Sequence, residues 1–313
     1  MYEVKSEVKD ELLLKEIITS LLQKRKRIPV KYVMMNPPAR FALDSLDDVI
    51  FNRHAEYELF NQNIDQIVRL NDEETALIEF GCGDSRLTNL IIERDLAIKS
   101  FVAVDPSKER LEEAVINLKQ EYPWMKILSV NEDFARFVSL PDEAVEDYRL
   151  FVIPSGKLCK YTMHETKIIL KRISCLSGGK GSLIAGIELL ERRQDLMHLF
   201  RDKHKEFETY NKALLKSIGN LTGGYIDLSV FRYDYIINDD LNRIEVGLEC
   251  TEDTILTIQN EEIEIKKAEF IITMLFYKYS IDEIKAIASE YFNVNHYWID
   301  EKKHYALMFF TKQ

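Results

Sequence analysis

The run of residues best suited to chemistry is Glu79-Phe80-Gly81-Cys82-Gly83-Asp84-Ser85. It follows the apolar stretch Ala76-Leu77-Ile78, so two glycines stand where a buried strand should end. Glycine lets the backbone turn tightly and approach a ligand without a Cβ clash. The carboxyl ends of strands in open α/β sheets are also where such folds bind ligands. Arg86 stands where a dinucleotide-binding loop needs a third glycine, which opposes a nicotinamide or flavin dinucleotide. Two more carboxylates end the next two apolar runs. Asp105 closes Phe101-Val102-Ala103-Val104, about 20 residues beyond Gly83, where an acid can accept both hydroxyls of a ribose. Asp133-Phe134 follows the run 126–130 and offers an acceptor for an exocyclic amine beside a ring face for a purine.

The elements that must position these residues follow from hydropathy spacing. Apolar runs at 76–80, 101–104, 126–130, 150–153 and 182–189 read as strands, and the segments 85–98, 108–122 and 165–176 between them read as helices. Strands alternating with helices of this length imply parallel βαβ units in an open, doubly wound sheet. Residues 7–23 and 53–70 read as helices, and 28–52, with Pro37-Pro38, as a loop. One long charged helical stretch, broken once, is expected over 191–218, then a turn at Gly219–Gly224. Residues 230–267 alternate in the manner of antiparallel strands, with a turn at Asn238-Asp239-Asp240. A helix from Ile281 to Phe292 and a strand pair around the turn 300–303 close the chain.

The E-x-G-x-G loop resembles the first motif of S-adenosylmethionine (SAM)-dependent methyltransferases, which need no third glycine. Over nearly its whole length the chain resembles the histidine-specific Nα-methyltransferases of the ergothioneine pathway. Glu79 to Thr88 is similar to that family's E-L-G-S-G-(S/T)-S-x-K-T, with Leu87 in place of the lysine. Val104-Asp105-Pro106-Ser107 is similar to V-D-V-S, and Glu132-Asp133-Phe134 to G-D-F. Phe231-Arg232 and Arg243-Ile244-Glu245 are similar to A-F-x-H and R-I-E-M, Lys278-Tyr279-Ser280 to K-F-(T/S), and Tyr297-Trp298-Ile299-Asp300 to W-x-T-D. The resemblance implies a Rossmann-like, class I SAM-dependent methyltransferase core with a mixed α+β substrate-binding domain. The core would span 61–194 and 278–313, and the substrate domain 1–60 and 195–277. It also implies SAM as cofactor, held by Gly81, Cys82, Gly83, Ser85, Asp105, Asp133, Phe134 and Pro154.

The substrate half departs from the family. Ser155-Gly156-Lys157-Leu158-Cys159-Lys160-Tyr161 stands in place of G-S-T-I-G-N-F, so Lys160 replaces the asparagine that holds the amino acid. The family tyrosine falls at Phe200. The glutamate and serine of T-E-V-S, which read the imidazole, fall at Met274 and Phe276; an N-terminal tyrosine falls near Val49. The implied substrate contacts are Lys160, Phe200, Met274 and Phe276. A site that has lost its polar readers loses its selectivity for the group they read. Histidine is therefore not the expected acceptor; a small amine or amino-acid-like compound is. A SAM-binding protein without turnover, acting as sensor or partner subunit, is the alternative. Tyr161, Tyr210 and Glu188 are candidates to orient the acceptor, and no residue reads as a dedicated base.

Composition bounds the rest. The chain has 313 residues, 46% hydrophobic and 30% charged, with 42 Lys+Arg against 53 Asp+Glu and a net charge of −11. That charge opposes a broad nucleic-acid surface. Lys24-Arg25-Lys26-Arg27 reads as the solvated cationic end of a helix. The longest apolar stretch, Phe270 to Tyr277, falls far short of the roughly 20 residues needed to cross a bilayer, and the N-terminus has no apolar leader core. Four dispersed cysteines and six histidines show no metal-ligand spacing. A cytoplasmic protein with reduced thiols, no metal and no membrane contact is expected; the oligomeric state is not legible.

Overall fold

The computed structural model describes residues 4–29, 32, 53–70, 74–81, 86–95, 97–133, 135–136, 139–144, 146, 148–190, 193–222 and 224–313. The chain divides into two compact units, Asp48–Glu191 with Tyr277–Gln313, and Met1–Asp47 with Arg192–Phe276.

The first unit carries a seven-stranded sheet. In chain order its strands are β1 (Thr75–Phe80), β2 (Ile98–Val104), β3 (Lys126–Val130), β4 (Tyr148–Ile153), β5 (Lys180–Glu188), β11 (Phe292–Ile299) and β12 (Tyr305–Lys312). They lie side by side as β11-β12-β5-β4-β1-β2-β3. The five strands from β5 to β3 are parallel, and β12 runs opposite to them, antiparallel to both β5 and β11. β1 is buried along its whole length, which explains the apolar run Ala76-Leu77-Ile78 with no polar alternation: a parallel strand is covered on both faces. The chain winds outward from β1 toward β3 on one side and from β4 toward β5 on the other. The order therefore reverses between β1 and β4, which opens a crevice at their carboxyl ends.

Helices close the faces. α2 (Arg53–Arg69), α3 (Arg86–Arg94) and α4 (Lys108–Glu121) bury Phe60, Ile64, Ile91, Leu111 and Leu118 against Leu77, Phe101, Val152 and Leu307. α5 (Met163–Leu176) and α8 (Ile281–Ala288) pack on each other. Both begin in capping boxes, Thr162 with Glu165 and Ser280 with Glu283, which satisfy amides that a helix start leaves open. α3 is shorter than its apolar spacing suggested, because Asp95 ends it and its Oδ1 accepts from the amide of Ala97 at 3.0 Å.

The second unit holds α1 (Val4–Leu21), α6 (Arg193–Asp202) and α7 (His204–Thr222). Its sheets are β10-β7-β6, from Phe270–Tyr277, Arg243–Cys250 and Phe231–Asn238, and the hairpin β8-β9, from Thr254–Ile258 and Glu261–Ile265. The long charged stretch does break once, at Lys203. The expected turn at Gly219 is instead helix through Thr222, closed by the Gly224 amide donating to the Gly219 carbonyl at 3.1 Å. The basic run is a second correction. α1 ends at Leu21, Arg25 pairs with Glu245, and Lys26 is buried 3.1 Å from Glu269. Arg27 bridges to Ile272. Periodicity alone cannot show that Arg25 and Lys26 have acids waiting more than 200 residues away, on β7 and just before β10. The expected 28–52 loop lies, apart from 28–29 and Tyr32, outside the described residues.

Gly247 in β7 faces the backbone carbonyl of Ile271, and a Cβ there would collide with it. A sheet backbone cannot yield as a side chain can. Gly247→Ala is expected to cost about 1–3 kcal/mol in urea unfolding, against less than about 0.5 kcal/mol for Gly179→Ala, whose Cβ would meet nothing within 4 Å.

Candidate functional site

The three strand ends singled out by sequence come together. Register aligns Phe80 with Val104 and Val104 with Val130, so the residues that follow emerge at one level. Gly81 turns the chain at φ +83, and its amide donates to the Val104 carbonyl at 2.7 Å. Asp105 is buried; its Oδ1 accepts from the Ser107 amide at 2.8 Å, and its own amide donates to Val130 at 3.2 Å. Asn131 Nδ2 donates to the carbonyls of Asp105 and Pro106, both at 3.0 Å, tying the second strand end to the third. Asp133 is buried, with Oδ1 accepting from the Ala135 amide at 3.1 Å. Glu79, also buried, accepts from the hydroxyl of Thr88 at the start of α3. Pro154 is buried directly after β4. Cys82, Gly83, Ser85 and Phe134 lie outside the described residues. A left-handed glycine and two buried acids along one edge fit the three parts of an adenosyl amino-acid ligand: the amino-acid end, the ribose and the purine.

The loop after β4 is fixed by residues the sequence did not reveal. Glu56 of α2 accepts from the Ser155 amide through both carboxylate oxygens, at 2.8 and 2.9 Å. Tyr305 donates its hydroxyl to Glu56 at 2.6 Å and accepts from the Gly156 amide at 3.0 Å. Ser155 and Gly156 both have positive φ, +60 and +56. Gly186 of β5 leaves room for this cluster, since a Cβ there would strike the Tyr305 hydroxyl and Glu56. Burial pushes the Glu56 carboxyl above its usual range, although the Tyr305 and Ser155 hydrogen bonds oppose the rise.

Lys160 ends the 3-10 turn Lys157–Lys160 and is buried. The sequence placed it as a cation presented to substrate or solvent; instead its Nζ lies 2.7 Å from Glu188, whose other oxygen lies 2.8 Å from Lys278. Burial alone would raise the Glu188 carboxyl, but the two ammoniums outweigh it and hold the group below the usual carboxylate range. Glu188 is thus occupied, not open to an acceptor. Cys159 packs beside it and is pushed up to about 12 by burial, which removes a thiolate nucleophile at neutral pH.

In the second unit, Phe200 packs on Phe207, Tyr235 and Phe276, with ring centres 5.2, 5.5 and 5.6 Å apart. Met274 and Phe276 alternate along β10, which puts them on one face, and both are buried. Tyr210 is fully buried, and its hydroxyl has no partner among the described residues. Tyr161 is buried in the first unit; Val49 lies outside the described residues. Among the described residues no group of three His, Cys, Asp or Glu could hold a metal, and no helix is long and apolar enough to cross a membrane.

Comparison with known proteins gives the chemistry a context. The sequence profile described as "Histidine-specific methyltransferase, SAM-dependent" matches residues 13–312. No curated protein matches. Among solved structures the chain is similar to a S-adenosylmethionine-dependent methyltransferase from Clostridium acetobutylicum, at 13% identity and TM-score 0.51, over 87% of this chain and 98% of that one. It is also similar to the 1,6-didemethyltoxoflavin-N1-methyltransferase of Burkholderia thailandensis, at 13% identity and TM-score 0.46, over 98% and 90%.

The two buried carboxylates generate opposite expectations. Glu188→Ala leaves Lys160 and Lys278 buried without their counter-charge and should cost about 3–5 kcal/mol in urea unfolding. For Glu56, the folded pKa is raised, so its stabilisation is complete below the unfolded value and fades as pH climbs through the folded one. Glu56→Gln does not titrate. Its melting temperature relative to wild type should therefore rise from about pH 5 to about pH 8; a difference independent of pH would contradict the assignment.

Proposed function

This chain belongs to the histidine-specific, SAM-dependent methyltransferase family, and we propose that it methylates a small amine or amino-acid-like compound other than histidine. It is a SAM-dependent methyltransferase with a Rossmann-like core. In this reading Gly81 receives the amino-acid end of the donor, Asp105 the ribose hydroxyls and Asp133 the adenine amine, with Pro154 beside them. Cys82, Gly83, Ser85 and Phe134 complete the proposed set.

The donor, when bound, supplies an electrophilic methyl group on a sulfonium. What the protein adds is alignment and dryness. Register brings Gly81, Asp105 and the end of β3 just before Asp133 to one level, and the Glu56 clamp sets the loop that follows β4. Methyl transfer needs donor and acceptor atoms aligned at about 3–3.5 Å, with water excluded. An amine attacks only when neutral. Glu188, at the end of β5, is already paired with two lysines, so the acceptor arrives unprotonated or loses its proton elsewhere.

A single observation carries the substrate claim. Where an imidazole reader would need a carboxylate and hydroxyls, Phe200 and Phe276 are buried edge to face and Met274 is buried on the same face of β10 as Phe276. Such side chains offer apolar area and sulfur–aromatic contact but no partner for imidazole nitrogens. Isothermal titration should find no micromolar binding of histidine, with or without S-adenosylhomocysteine. Labelled methyl transfer from SAM should appear with another amine in a panel of amines and amino acids. Micromolar histidine binding, or histidine as the best acceptor, would refute the substrate claim while leaving the family assignment standing.

A further inference from the structure

We propose that Lys157 is the cation that holds the α-carboxylate of the methyl donor, an assignment that rests on the donor site described above. Lys157 opens the 3-10 turn whose backbone the Glu56 clamp positions, and its side chain folds back over the strand β1 turn. A Cβ built on Gly81 would collide with Lys157 Cε and come within 2.7 Å of its Nζ. The ammonium therefore stands directly over the glycine at which the donor's amino-acid end is placed.

The ammonium is under-used where it stands. It has three protons to donate. Among the described residues it gives one hydrogen bond, to the Gly81 carbonyl, and that bond is long at 3.4 Å. Burial holds the Lys157 ammonium below its ordinary range, with Arg53 adding to the fall, and Glu79, Glu56 and Asp105 only partly oppose it. Three acids and one central ammonium form a surface of mixed sign. The donor's amino-acid end carries an ammonium and a carboxylate next to a sulfonium. Glu79 suits its positive groups, and Lys157 suits its carboxylate by a charge-assisted hydrogen bond.

No cation on the helix after the glycine loop competes for this role at position 87. Leu87 is apolar and packs against the hydrophobic core. Arg53, at the start of α2, is the other cation that acts on both Glu56 and Lys157, and so it is the comparison variant.

The test pairs a side-chain deletion with a ligand deletion. Binding of SAM and of its decarboxylated analogue is measured by isothermal titration with the full chain as wild type, Lys157→Met, Lys157→Arg and Arg53→Met. Lys157→Met should weaken SAM about 10- to 100-fold, the factor expected for one hydrogen bond between charged groups. It should leave the decarboxylated analogue within about twofold. Lys157→Arg should recover most of the loss. Retained binding of the analogue also reports that the variant is folded. The proposal is overturned if Lys157→Met weakens both ligands equally, if it weakens neither, or if Arg53→Met alone removes the discrimination. Failure of the wild type to bind SAM at all would instead refute the donor site itself.

Discussion

The Glu56 carboxylate holds the Ser155 amide with both of its oxygens, and Tyr305 braces the same carboxylate while receiving the Gly156 amide. Without these bonds the loop after β4 would have little reason to stay as it is. Ser155 is not a glycine, yet it sits at φ +60, a conformation that costs on the order of 1–3 kcal/mol. Three hydrogen bonds to a buried carboxyl group together supply that order of energy. The loop in turn sets where Pro154, Lys157 and Lys160 point, so one carboxylate on α2 governs the crevice beside β1. Gly186 is the matching constraint on β5, since any side chain there would occupy the clamp's space.

Around that crevice the protein keeps two buried carboxyl groups whose pKa values are pushed in opposite directions. Glu188 is flanked by two ammoniums and stays charged. Glu56 is surrounded mainly by neutral donors and is drawn toward its protonated form. Groups pushed apart in this way often divide acid and base duties in an active site. Here both are fully enclosed, so their work is structural: one neutralises buried lysines, the other orients amides. In the proposed donor site the ligand-facing acids are Glu79, Asp105 and Asp133, at and just beyond the strand ends.

How much of this was legible depends on whether a feature is local. Gly81, Asp105 and Asp133 could be found because each follows an apolar run, and parallel register then brings successive strand ends to one level. The five parallel strands were visible for the same reason. Glu56 was not. It lies in a helix with many other polar residues, and nothing within a few positions distinguishes a buried acid from a solvated one. Lys160 was misread as a presented cation because its partner sits 28 residues away across a strand. In the basic run 24–27, Lys24 and Arg25 are exposed as expected, but the pairing of Arg25 with Glu245 and the burial of Lys26 against Glu269 were hidden for the same reason. Long-range charge pairing leaves no periodic trace, whereas burial of strands does.

The clamp joins residues 249 positions apart. During synthesis Glu56 leaves the ribosome early, and the whole second unit is translated before Tyr305 appears. Until then β1 to β5 can collapse around their apolar faces, but the loop following β4 lacks the hydroxyl that braces it. Loop closure over such a span is slow relative to local helix formation. A nascent chain of this protein would therefore carry a nearly complete sheet that is not yet able to grip its nucleoside ligand, and competence would arrive abruptly with the final hairpin.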